Sequence, residues 1–128
     1  SMQYVAILVL VLGCVAPVHA GDLHKKALFC STDRDKHPFD DDKYVAFNFM
    51  ANNYYIRLMI KGYVTEEMEF KYEFDGPHMV KLDNFELDRR TSELFGQSHS
   101  YKCVLTGLSW VRRKMLHIIK VAKEEDRI

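Results

Sequence analysis

Ser98-His-Ser-Tyr101-Lys-Cys103-Val-Leu105-Thr-Gly107, followed after a short break by Lys114-Met-Leu-His-Ile-Ile-Lys-Val121, is the stretch around which the rest of the chain is read. Tyr101 and Cys103 stand two apart, so on a strand they share one face, and Leu105 joins them there. A tyrosine two residues before a buried cysteine reads as a tyrosine corner. Its ring packs in the core and its hydroxyl serves backbone where the chain enters the strand. The other cysteine beyond the N-terminal apolar segment is Cys30, far enough upstream to suit a disulfide between two packed sheets. An unpaired Cys30 is the alternative.

The chain opens on a segment set apart from the rest. Met2 to Ala20 carries no charged side chain, Val5 to Leu12 is continuously apolar, and Val18-His19-Ala20 precedes Gly21. This is the pattern of a secretory signal peptide, removed after residue 20 and taking Cys14 with it. Ser1, ahead of Met2, reads as an expression remnant. An uncleaved signal anchor is the alternative. Gly21 to Ile128 is then a single domain of about 108 residues, enough to bury a core and small enough to benefit from a staple. The expected location is extracellular, where a Cys30–Cys103 bond would persist. With 18 basic and 18 acidic residues the formal net charge is zero, which argues against electrostatic nucleic-acid binding. Nothing polybasic marks a membrane surface, so no membrane association is expected once the signal is cleaved.

Taken in order, Ala27-Leu28-Phe29-Cys30 is a short apolar strand. Ser31 to Lys43 is an acidic loop whose Asp33, Asp35, Asp40, Asp41 and Asp42 lack the ligand spacing and central glycine of a calcium loop. Tyr44 to Ala51 alternates, with Val45, Phe47 and Phe49 on one face. Asn52-Asn53 supplies a two-residue turn, and Tyr54 to Ile60 answers it with Tyr54, Ile56, Leu58 and Ile60 on one face. The cleanest period-2 run follows: Met68, Phe70, Tyr72 and Phe74 alternate with Glu67, Glu69, Lys71 and Glu73. Asp75-Gly76-Pro77 turns the chain into a strand from His78 to Leu82. Phe85, Leu87, Leu94 and Phe95 cover an edge of the core, with a short helical turn from Asp88 to Leu94. Trp110 falls in a loop. The last segment reads two ways, as a strand alternating Met115, His117, Ile119 and Val121, or as a helical stripe of Val111, Met115, Ile118, Ile119 and Ala122. Its Ile and Val content favours the strand. Lys123 to Ile128 is a charged tail expected to fray.

No catalytic or metal motif is legible. The six histidines are dispersed, and there is no H-E-x-x-H, paired cysteine spacing, G-x-S-x-G or phosphate-binding glycine loop. No enzyme activity, metal or cofactor is expected, and the function sought is one of binding.

Tyr101-Lys-Cys103-Val-Leu-Thr-Gly with Val111-Arg-Arg-Lys-Met-Leu-His-Ile-Ile-Lys120 resembles the last two strands of the secreted interleukin-18-binding proteins of poxviruses. The resemblance implies an all-β, immunoglobulin-like β-sandwich of about seven strands with one inter-sheet disulfide, acting as a decoy that sequesters a host cytokine. It makes Tyr44 to Ala51 strand C and Tyr54 to Ile60 strand C′. Phe47 or Phe49 stands in place of the immunoglobulin core tryptophan, and Arg57 where the family carries an acid. The residues themselves suggest the binding face. With Val45, Phe47 and Phe49 inward, Tyr44, Asn48 and Met50 point out, joined across the turn by Tyr55, Arg57 and Met59. Tyr, Met and Arg are interface-rich residue types, suited to an extracellular protein partner or to a homodimer through the exposed sheet face. Two other readings stand beside this one: a small calycin-like β-barrel that binds a hydrophobic small molecule, and a structural secreted module with no single partner.

Overall fold

A computed structural model of the protein describes residues 23–32, 43–96 and 98–126. The expected signal peptide, the acidic residues Asp33, Asp35, Asp40, Asp41 and Asp42, and the last two residues of the tail lie outside the described residues. The strands are β1 (Ala27–Ser31), β2 (Tyr44–Phe49), β3 (Tyr54–Lys61), β4 (Val64–Lys71), β5 (Glu73–Asp75), β6 (Met79–Leu82), β7 (Phe85–Asp88), β8 (Glu93–Gly96) and β9 (His99–Thr106). One α-helix, α1 (Leu108–Glu125), follows.

All nine strands belong to one antiparallel sheet, in the order β4-β3-β2-β1-β9-β8-β7-β6-β5. Its two edges, β4 and β5, are successive parts of one extended run broken at Tyr72, whose N–H donates to the Asn53 carbonyl at 2.8 Å. The first part pairs with β3 and the second with β6. Counting β4 and β5 as one of the nine leaves eight strands around a circuit, and the sheet curls into a nearly closed up-and-down barrel. Among the described residues the fold is thus largely β with one disulfide, as the sequence suggests, but a nine-stranded wrapped sheet takes the place of a seven-stranded sandwich.

Alternation along the strands sorts their side chains into two cores. Leu28, Val45, Phe47, Phe49, Tyr55, Val80, Leu82, Phe85, Leu94 and Tyr101 fill the inside of the barrel. Ala27, Phe29, Ala46, Leu58 and Ile60 form an outer apolar face, which Val111, Met115 and Ile119 of α1 cover. Ala27 and Ala46 carry only a methyl group, so the helix can approach the sheet closely there. Trp110, in the first turn of α1, sets its edge against Phe29 with ring centroids 5.6 Å apart, and Arg112 reaches Glu67 of β4 at 2.8 Å.

The last segment is therefore a helix and not a strand. Its buried residues, Val111, Met115, Ile119 and Ala122, keep the helical period. The outer face of β1 to β3 needs an apolar cover, and that tertiary demand overrides the β preference of Ile and Val. Glu124 and Glu125 continue the helix, so the charged tail is ordered as far as Glu125. The expected helical turn from Asp88 to Leu94 is instead the end of β7, a turn with Ser92 at φ 59°, and β8.

The disulfide joins Cys30 to Cys103, which are register partners in the neighbouring strands β1 and β9. It bridges one ladder from the barrel interior, where an inter-sheet pin was expected.

Candidate functional site within the barrel

The geometry of the site follows from one turn. Ala51–Asn53 forms a 3-10 turn in which Asn52 and Asn53 take left-handed φ values of 61° and 62°. Asparagine tolerates that region, and the Met50 N–H closes the loop on the Tyr54 carbonyl at 2.8 Å. The loop is one residue longer than a two-residue Asn52-Asn53 turn. The register therefore pairs Phe49 with Tyr55, Phe47 with Arg57 and Val45 with Met59. A one-residue slip exchanges the faces of a strand. Tyr55, Arg57 and Met59 accordingly enter the barrel interior, while Ile56, Leu58 and Ile60 lie outside toward α1.

The six residues expected on one protein-binding face are divided by this register. Tyr55 is fully buried and Met59 nearly so, both in the inner core. Arg57 faces the same way, its side chain 12% exposed. Tyr44 is half-buried on the outer side, stacked on Phe29 at 5.7 Å. Asn48 is half-buried opposite Ile56, and Met50 is half-buried just past the end of β2. Tyr101 lines the interior in mid-strand, edge-on to Phe85 at 5.9 Å, as part of the barrel wall.

Inside, Tyr55 is caged by aromatic rings. Its centroid lies 5.8 Å from Phe47, 6.3 Å from Phe49, 5.7 Å from Phe70 and 6.4 Å from Tyr72. Its hydroxyl is buried and has no hydrogen-bond partner. An unmet buried hydroxyl costs roughly 1–3 kcal/mol. Burial pushes its pKa up to about 12, helped by the negative Asp83 and opposed by Arg57. At neutral pH the phenol thus keeps its proton and can donate or accept.

Arg57 stacks its guanidinium over Phe70 at 4.8 Å. Its polar contacts are a 3.5 Å approach to the Asp83 carboxylate and a 3.5 Å contact to the Met68 sulfur. A charge-assisted hydrogen bond closes to about 2.7–2.9 Å, so five N–H donors are served here by one long ion pair and a weak thioether acceptor. Asp83 sits in the β6–β7 turn at φ 57°, its side chain 38% exposed. Glu66, next on the inward face of β4, is engaged by Lys61 at 3.3 Å.

Two further surfaces border the barrel. A cleft of about 220 Å³ is lined by Leu23, Leu28, Leu87 and Leu105, with Lys26, Arg89 and Ser92 also contributing to its wall. A second hollow outside the Asp83 turn runs along Phe85, Phe95 and Gly96. Among the described residues no cluster of three or more His, Cys, Asp or Glu could hold a metal ion, and no helix is long and apolar enough to cross a membrane.

Asp83 and the ring of Phe70 were not singled out as site residues by sequence. A signal did exist. In Tyr55-Ile-Arg57-Leu-Met-Ile60 one cation stands in an otherwise apolar strand, so the face that carries it is not a purely apolar core. Comparison of the chain with protein-family models, with curated proteins and with solved structures yields no match.

Proposed function

We propose that the protein is a small-molecule-binding barrel that takes an apolar ligand bearing a polar group. The observation that carries this reading is the Tyr55 hydroxyl, fully buried among aromatic rings and unpartnered beside a poorly coordinated guanidinium. Buried side-chain polar atoms in folded proteins nearly always have a hydrogen-bond partner, so this hydroxyl is free to take one from a ligand. Apolar walls with a few converging polar groups are the composition of a ligand site. Capture of a cytokine would require Tyr44, Asn48, Met50, Tyr55, Arg57 and Met59 on one accessible face. The β2–β3 register separates them, so the geometry favours the small-ligand reading.

The proposal includes secretion. It rests on the uncharged apolar segment before Gly21 and on a disulfide of the sort that persists in oxidising compartments.

A solvatochromic apolar probe titrated into the protein tests the reading. Saturable uptake at one probe per chain, weakened in a folded Tyr55→Phe variant, is the expected result. A linear, non-saturating response identical in the variant would refute it.

A further inference from the structure

We infer that the ligand is an apolar carboxylic acid whose carboxylate displaces Asp83 from Arg57 and accepts a hydrogen bond from Tyr55. This rests on the small-ligand reading and specifies its chemistry. Arg57 already holds a carboxylate, but badly: at 3.5 Å, from a turn residue whose side chain stays largely in water. A planar guanidinium binds a carboxylate best through two parallel N–H donors at shorter range, a geometry the tethered Asp83 does not reach. A free carboxylate has no such tether. The same guanidinium is backed by Phe70, and it lies beside Met68, a flexible side chain 43% exposed that can make way.

Charge selects among anions. Arg57 carries one positive charge and its present counterion one negative charge, so a monoanionic carboxylate exchanges for Asp83 without leaving net charge behind. A phosphate dianion would leave an uncompensated charge in a poorly solvated interior. An amine would face Arg57 itself. The unpartnered phenol of Tyr55 supplies the further donor that the second carboxylate oxygen needs.

In this arrangement Asp83 is an internal competitor, and its loss raises affinity. The test compares dodecanoic acid with its methyl ester by calorimetry, in the wild-type chain and in Asp83→Asn, Arg57→Gln and Tyr55→Phe. The expected wild-type preference for the acid is about tenfold or more, the size of one well-made charged hydrogen bond. Asp83→Asn should strengthen acid binding several-fold and leave the ester unchanged. Arg57→Gln should bring the acid down to the level of the ester. The ester also reports on the reading beneath. If acid and ester bind equally, and Asp83→Asn changes neither, the carboxylate inference falls and the apolar site stands. If the wild-type chain binds neither, both fall together.

Discussion

Arg57 of β3 and Asp83 of the β6–β7 turn meet at 3.5 Å across the seam where the sheet order ends. With β4 and β5 counted as one run, each neighbouring pair of strands in the circuit is joined by a ladder of backbone hydrogen bonds. The run changes partner at Tyr72: β4 pairs with β3 and β5 with β6, and the Arg57–Asp83 contact spans between the same two sides of the sheet order. The pair is partly exposed and long, and contributes no more than about 1 kcal/mol.

Tyr55→Phe separates stability from function. Removing a buried hydroxyl that has no partner should leave the free protein as stable or more stable, by up to roughly 1–3 kcal/mol. Urea unfolding of the ligand-free chain checks this. The same variant should bind apolar acids less tightly, so stability and affinity move in opposite directions.

Alkaline pH should destabilise the fold in a defined window. The folded-state pKa of Tyr55 is raised from 10.0 to about 12, so the folded chain keeps a proton that the unfolded chain gives up first. The stability linked to this is whole below pH 10 and is lost as pH rises toward about 12. Burial raises Tyr44 and Tyr72 as well, which acts in the same direction. Phenolate absorbance near 295 nm, followed with pH, should show a late-titrating class that merges with the rest on unfolding (a wavelength on the order of the usual phenolate band).

The helix should matter through one face only. Met115 is fully buried between α1 and the sheet, and Met115→Ala should cost about 2–5 kcal/mol. Leu116, its immediate neighbour, is 62% exposed, and Leu116→Ala should change stability by no more than about 0.5 kcal/mol. Chemical denaturation of the two variants compares them directly. Similar losses would mean that the helix does not pack as described.

Gly96→Ala should destabilise the β7–β8 hairpin. An added Cβ would come within 2.6 Å of both the Asn84 carbonyl oxygen and the Phe85 ring. One of these contacts is backbone and the other belongs to a ring packed in the inner core, so neither yields cheaply. A loss of about 1–3 kcal/mol is expected from overpacking of this kind. A melting temperature unchanged from wild type would contradict the close approach.

Much of the barrel wall was legible in the sequence. The inward set of Val45, Phe47 and Phe49 follows from period-2 alternation, and the Cys30–Cys103 bond was read correctly as a bond. What period 2 cannot supply is the phase between strands. Asn52-Asn53 looks like a complete two-residue turn, and the added loop residue reverses every side chain of β3. Because Tyr55-Ile-Arg-Leu-Met-Ile60 carries large apolar side chains on both faces, with Arg57 the one charge, composition did not fix which face turns inward. The last segment was ambiguous for a related reason: adjacent Ile118 and Ile119 satisfy both periods, and the choice is made by an outer sheet face on distant β1, β2 and β3. Asp83 was illegible as a site residue because turn acids are common, and only the wrapping of the sheet brings it to Arg57.

The central claim, a ligand site on the inward face of β3, is tested most directly by heteronuclear NMR of the chain titrated with dodecanoic acid. The account predicts that the Arg57 Nε–Hε resonance and the ring signals of Tyr55 and Phe70 shift saturably, while Leu58 and Met115 beneath the helix stay in place. Shifts confined to exposed Leu116 and Val121 on the outside of α1, with Arg57 and Tyr55 unmoved, would contradict it.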